Sequence, residues 1–271
     1  MRFTVITGVY NEGLDRLQEA ADSVLSQSLQ DFEWIICDDG SEQAVHSFLE
    51  ELAGRDQRIR LLTNPVNRGL AFSLNRCVKA ATTALLLRQD TDDRSAPGRF
   101  ERLVPFMEQH PQYALVSSNI TLFDEKGAWG KMAYPEYPEK RDFLFCLPFM
   151  HGAVGLRREA LIRHGGYCTG KRTRRCEDLE LFSRLYALGE KGYTIQEELY
   201  EYREDAAAGR KRKYRYRVDE ACIKWRAFRS LGLLPRGIPY VVKPLAVGLL
   251  PPALLNRLKD RYYKRRGNQE E

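Results

Sequence analysis

The sequence predicts an α/β protein, a mostly parallel β-sheet with helices on both faces. Three observations carry this expectation. Short apolar runs alternate with amphipathic stretches of helical period, the alternation repeats through the first 90 residues, and the apolar runs end in polar residues suited to loops.

Phe3 to Val9 reads as a buried strand, and the segment from Gly13 onward places Leu14, Leu17, Ala21, Val24 and Leu25 on one helical face. The unit then repeats. Strand 32–37 precedes helix 44–54, strand 59–63 precedes helix 70–81, and strand 84–89 follows. Beyond residue 96 the alternation fades. A helix over 97–109 leads to a strand over 113–124 and then to a Gly-, Pro- and Tyr-rich loop near 127–138. A further helix is expected from about Cys176, with Leu179, Phe182, Leu185 and Leu188 on one side, and strand 193–203 closes the body. No repeat of solenoid type is present.

At 271 residues the chain exceeds a peptide-sized binding module and suits one large domain or two tightly joined ones. Its charge is uneven. From residue 206 onward there are 17 Lys and Arg against 5 acids, so a net charge of +6 leaves a body of −6 carrying a tail of +12. The six cysteines show no CxxC or metal-type spacing with histidine, and Cys37 and Cys77 fall inside apolar patterns as small hydrophobes. The amino-terminal residues enter a strand without a signal-peptide pattern, which points to a reducing cytosol.

In sheets of this kind ligands bind beyond the carboxyl ends of the strands. Those ends are polar here: Tyr10-Asn11-Glu12-Gly13, Asp38-Asp39-Gly40-Ser41, Asn64 to Gly69, and the cluster Asp90, Asp92, Asp93. Asp38 to Ser41 taken alone would suit a turn with a helix cap. Its alignment with the other loops favours a ligand site.

The aspartates would repel one another at neutral pH unless a cation joined them. Hard oxygen ligands suit Mg²⁺ or Mn²⁺, and Mg²⁺ commonly takes one or two carboxylates and completes its shell with phosphates. That suggests a nucleoside diphosphate, although neither GxxxxGK[ST] nor GxGxxG is present. The alternative for this short pattern is an exposed loop capping the helix at 97.

The ordered set VITGVYNEG, ICDDGS, NRGLAFSLN and LRQDTDD, followed by CEDLELFSRL, closely resembles the family 2 glycosyltransferases, whose GT-A fold is a Rossmann-like sheet. The resemblance spans about residues 3–205. It implies a nucleotide-sugar-binding half over 1–95, an acceptor-binding half over 96–205, and a basic, helical, amphipathic extension over 206–271. By this likeness Tyr10, Glu12 and Asp39 grip the base and ribose of the donor. Asp90 and Asp92 form the DxD pair, with Asp92 on Mg²⁺ or Mn²⁺, and Arg88 is the arginine preceding that motif. The share of Asp93 stays open. Asp178 is implied as the base that takes the acceptor proton in one inverting displacement, and Glu177 as a group orienting loop or acceptor. Both acids also suit a helix N-terminus, where negative charge gains roughly 0.3–1 kcal/mol. His151 matches a polar site near donor sugar or acceptor, and equally reads as a hydrogen-bonded core histidine. No histidine follows Tyr202-Arg203 and no QxxRW is present, which argues against a processive synthase.

The tail carries RKRKYRYR at 210–217, then an apolar stretch broken by five prolines between 235 and 252 and by Arg236 and Lys243. A membrane span needs ~20 apolar residues. An interfacial segment on anionic lipid fits better, while packing on the body or a homodimer contact are the alternatives. The expected protein is therefore an inverting hexosyltransferase, cytoplasmic and peripheral on the inner face of the cell membrane, using a donor of the UDP-sugar class and a lipid-linked glycan acceptor. Nucleic acid is not expected as a partner, because the body is acidic. Two rivals are a sugar nucleotidyltransferase, which needs a Gly-rich basic loop that VYNEG does not supply, and a basic binding module without activity.

Overall fold

A computed structural model of the chain describes residues 1–204 and 214–249. The first half alternates as expected. Strands β1 (Phe3–Val9), β2 (Phe32–Asp38), β3 (Ile59–Thr63) and β4 (Leu85–Arg88) are linked by helices α1 (Leu14–Leu25), α2 (Gln43–Arg55) and α3 (Leu70–Ala80). These four strands run parallel in the order β3-β2-β1-β4.

Alternation of side chains explains why β1, β2 and β4 are apolar on both faces. Ile6, Ile35, Cys37 and Leu86 point into one core, beneath α3 and the later helices. Their neighbours Phe3, Val5, Trp34, Ile36, Leu85 and Leu87 point into the other, beneath α1 and α2. Full burial of each such side chain is worth about 1.5–3 kcal/mol. On α1 the buried positions are Leu17, Ala20, Ala21 and Val24, whereas Leu14, at the first turn, lies exposed.

The second half extends the same sheet. After β5 (Arg94–Ser95) and α4 (Arg99–Gln109) come β6 (Leu115–Asp124), β7 (Gly127–Met132), a 3-10 turn (Lys140–Leu144), β8 (Gly155–Arg157), α5 (Arg158–Arg163), α6 (Glu177–Ala187) and β9 (Gly192–Arg203). The nine-stranded order is β3-β2-β1-β4-β8-β6-β9-β5, with β7 on β6. Its two longest ladders, β1–β2 and β6–β9, are parallel, while β8 is antiparallel to both β4 and β6.

Three details differ from the sequence reading. Residues 127–132, expected as loop, form an edge strand whose side chains are mostly exposed, so no buried alternation marks it. The β5 and β8 strands are two and three residues long, too short for any period. Leu188 lies one residue past α6 and is exposed, and Leu181 instead joins Phe182 and Leu185 in the core.

The described part of the extension forms α7 (Tyr214–Ser230) and α8 (Ile238–Gly248). Ala227, Phe228 and Leu231 enter the same core as Leu181, Phe182 and Leu185, so the inner face of α7 packs on the body. Its outer face exposes Tyr214, Val218 and Trp225, at helical spacing, among Arg215, Arg226 and Arg229, and α8 exposes Ile238 and Val242. No helix among the described residues is long and apolar enough to cross a membrane. Residues 206–213 and 250–271 of the basic extension lie outside the described residues.

Candidate functional site

The loops beyond the parallel strands are bonded to one another. The Asn11 backbone takes a left-handed conformation at φ 49°, its N–H donates to Ser41 Oγ at 3.1 Å, and its Oδ1 accepts the Glu42 N–H at 2.7 Å. Tyr10 stands exposed beside it. Asp38 is buried and accepts from the Ser41 N–H and from His46 Nδ1. Asp39, also buried, holds the loop after β3: its Oδ1 accepts from Asn64 Nδ2 at 2.6 Å and the Arg68 N–H at 2.9 Å, and its Oδ2 accepts the Gly69 N–H at 2.7 Å. A β-carbon at Gly40 would fall 2.8 Å from the Val66 backbone, so a side chain there would push the two loops apart.

The aspartate loop rests on two buried arginines. Arg88 pairs with Asp90 and donates to the Gln89 carbonyl. Arg99, from α4, donates to Gln89 Oε1, Ser95 Oγ and the carbonyls of Arg88 and Gly152, over the ring of Tyr200. Burial pushes the Arg99 guanidinium down to about 10. Asp93 turns inward, where its Oδ2 accepts from the Tyr200 hydroxyl at 3.0 Å and its Oδ1 accepts the Arg203 N–H at 2.8 Å. Burial, with Asp90 and Asp92 nearby, holds the Asp93 carboxyl well above the usual range.

Asp92 is only partly covered. Burial pushes its carboxyl up to about 6, and the charges of Asp90 and Glu12 add to the rise. Thus Asp90 and Glu12 bear on Asp92 as like charges, the condition that a divalent cation relieves. Among the described residues no three His, Cys, Asp or Glu side chains form a metal cage. Asp92 with Asp90 fits the sparser set typical of Mg²⁺ bound with phosphates.

The α6 start is brought to the same region. His151 is nearly buried, and its Nε2 lies 3.0 Å from the Tyr167 hydroxyl. Burial, then the Arg88 charge, pushes its imidazole down to about 3, so it is neutral at physiological pH. The Tyr167 phenol is raised by burial, lowered by Arg88, and raised again by Asp90, Asp178 and Glu177. One phenol therefore feels both acidic clusters, which lie almost ninety residues apart in sequence. The Leu179 N–H donates to Asp178 Oδ1 at 2.7 Å. Glu177 is raised by burial, and its Oε2 is buried without a hydrogen-bond partner.

The acids named from the sequence come together here, but sequence patterns miss the residues that support them. Gln89, Arg99, Tyr167 and Tyr200 show no spacing of their own. Arg99 sits on an amphipathic helix where an arginine reads as solvent-facing, and only tertiary packing reveals it as fully buried.

The profile described as Glycosyl transferase family 2 matches residues 4–165. EpsE of Bacillus subtilis (strain 168), named a glycosyltransferase, is 38% identical over all of this chain and 96% of its own length. The Escherichia coli protein named UDP-Gal:alpha-D-GlcNAc-diphosphoundecaprenol beta-1,3-galactosyltransferase is 26% identical, with 84% of each chain covered. Among solved structures, S. aureus TarS 1–349 in complex with UDP-GlcNAc aligns with a TM-score of 0.70 at 15% identity, over 93% of this chain and 76% of that one. Mannosyltransferase PcManGT from Pyrobaculum calidifontis, in complex with GDP-Man and Mn²⁺, gives 0.65 at 19% identity, over 96% and 80%.

Proposed function

The chain belongs to glycosyl transferase family 2, and from that premise we propose that it moves one sugar from a UDP-sugar to a hydroxyl of a growing, lipid-linked surface glycan, inverting the anomeric carbon. The observation that carries this reading is that the 151–152 turn joins the two acidic clusters: His151 Nε2 lies 3.0 Å from the Tyr167 hydroxyl, a β-carbon on Gly152 would fall 2.9 Å from Asp90 Oδ2, and the Tyr167 phenol feels both Asp90 and Asp178, which fits a donor loop and an acceptor-side acid facing one space.

Residues 1–95 bind the donor. Tyr10 and Glu12 border the base and ribose, and Asp39 holds the loop from Asn64 to Gly69 against them. Arg88 fixes Asp90 in place, and Asp92 with Asp90 would hold Mg²⁺ or Mn²⁺. When bound, the cation supplies positive charge to the departing diphosphate. Asp178 takes the acceptor hydroxyl proton while that oxygen bonds to the anomeric carbon and the bond to the diphosphate breaks. Neutral His151 positions Tyr167 and takes no proton itself.

The acceptor class is supported by the undecaprenol-linked substrate in the name of the Escherichia coli relative. The basic outer face of α7, with Val218 and Trp225, supports contact with anionic lipid at the cytoplasmic face of the membrane. The test is a melting-temperature panel of nucleotide sugars with and without Mn²⁺, followed by transfer or hydrolysis assays. A UDP-sugar should stabilise the protein by an amount that grows with the logarithm of 1 + concentration/Kd, and should do so fully only with the cation. Absence of stabilisation by every nucleotide sugar overturns the reading.

A further inference from the structure

A cavity of about 300 Å³ lies between the start of α3 and the loop entering α6, with Arg68, Thr173, Arg174, Arg175, Glu177 and Tyr216 in its wall. Neither Tyr10 nor Asp92 lines it. Three guanidinium groups meet there. Arg68 lies over the Phe72 ring, Arg175 lies over the Tyr216 ring at 4.9 Å, and Arg174 Nε is 3.8 Å from where a β-carbon on Gly69 would sit. Among the described residues none of the three arginines is ion-paired to a carboxylate. Such a group of cations repels itself in the absence of an anion.

The wall has two further properties. Arg175 holds φ at 68°, a left-handed backbone that side chains other than glycine avoid, and Glu177 presents its unpartnered buried Oε2. Tyr216 comes from α7, whose exposed face is apolar and basic. The cavity thus offers arginines to an anion with several oxygens, a carboxylate to a hydroxyl, and an aromatic ring beside an apolar surface.

Building on the glycosyl-transfer reading, we infer that this cavity holds the phosphate groups of a prenyl diphosphate-linked acceptor, with Arg68, Arg174 and Arg175 on the phosphates and Tyr216 beside the first prenyl unit. A diphosphate could also come from the donor. The acceptor is favoured because the wall contains Glu177, the residue before Asp178, and a residue of α7, while from residues 1–95 it takes only the segment 67–71 and no member of the aspartate cluster. In this arrangement the diphosphate anchors the carrier, Glu177 Oε2 accepts from a sugar hydroxyl, and the hydroxyl to be glycosylated reaches Asp178.

Titration of the full chain with farnesyl diphosphate, and separately with UDP plus Mn²⁺, tests the assignment. The double substitution R174Q/R175Q should weaken farnesyl diphosphate roughly tenfold or more, because charge-assisted hydrogen bonds are lost. It should leave UDP affinity within about twofold. Tyr216→Ala should weaken farnesyl diphosphate but not inorganic pyrophosphate. Competition between UDP and farnesyl diphosphate in the wild type, or equal loss of both in a folded double variant, would assign the cavity to the donor and overturn the inference. Unchanged farnesyl diphosphate affinity in that variant, or no binding by the wild type, also overturns it. A wild type that binds farnesyl diphosphate but no nucleotide would instead sink the glycosyl-transfer reading and leave the prenyl diphosphate site standing.

Discussion

The Tyr200 hydroxyl donates to Asp93 Oδ2 at 3.0 Å and accepts the Asp90 N–H at 3.1 Å, so strand β9 holds the aspartate loop from behind. This bond separates the acids by position. Asp93 faces the fold, whereas Asp92 stays partly open.

Tyr200→Phe should therefore destabilise the protein by about 1–3 kcal/mol, the usual cost of leaving buried polar groups unpaired. Asp92→Asn should leave stability at or above that of wild type, since it removes one of several like charges, yet weaken nucleotide diphosphate binding in the presence of Mn²⁺. Urea denaturation and calorimetry on both variants check the contrast.

Asp39→Asn replaces one accepting oxygen with an amide that faces donors from Asn64, Arg68 and Gly69. The loop after β3 should loosen, and nucleotide affinity should fall with or without cation. Calorimetry with EDTA and with Mn²⁺ distinguishes this from the cation-dependent loss at Asp92.

Asp178→Asn keeps an oxygen to accept the Leu179 N–H but lacks proton affinity. Transfer should fall by about 10²–10⁴-fold while donor binding and melting temperature barely change. Near-normal transfer by the folded variant would remove Asp178 from the chemistry.

His151 gives a pH dependence whose sign follows from its burial. Above pH 6.5 it is neutral whether folded or unfolded and contributes no slope. Between 6.5 and about 3 the unfolded chain binds the proton and the folded one does not, so stability falls with acidification, at up to ~1.4 kcal/mol per pH unit. His151→Gln should flatten this part of the stability profile relative to wild type. Equal slopes for the two proteins from pH 6 to 4 would refute it.

How far the sequence could be read depended on how far each structure was local. Strands β1, β2 and β4 announce themselves because both their faces are buried, and the loops after β1 to β4 because Asp, Asn and Gly cluster where apolar runs stop. The inward turn of Asp93 could not be read, since it depends on Tyr200 and Arg203, more than a hundred residues away. The same holds for Arg99. Strand β7 was hidden because an exposed edge strand of Gly127, Ala128 and Trp129 carries no buried alternation. The extension could be divided only by packing: Phe228 serves the core and Trp225, three residues earlier, faces outward.

Strand β8 is hydrogen-bonded to β4 on one edge and to β6 on the other. Residues 1–95 and 96–203 thus share one continuous sheet rather than forming two jaws. Rotating one half against the other would break backbone hydrogen bonds at both seams, so Asp90, just past the end of β4, keeps a fixed place relative to β8 and β6. A clamshell motion about these seams would cost those hydrogen bonds, which leaves the loops along the carboxyl edge as the parts that can adjust around a ligand.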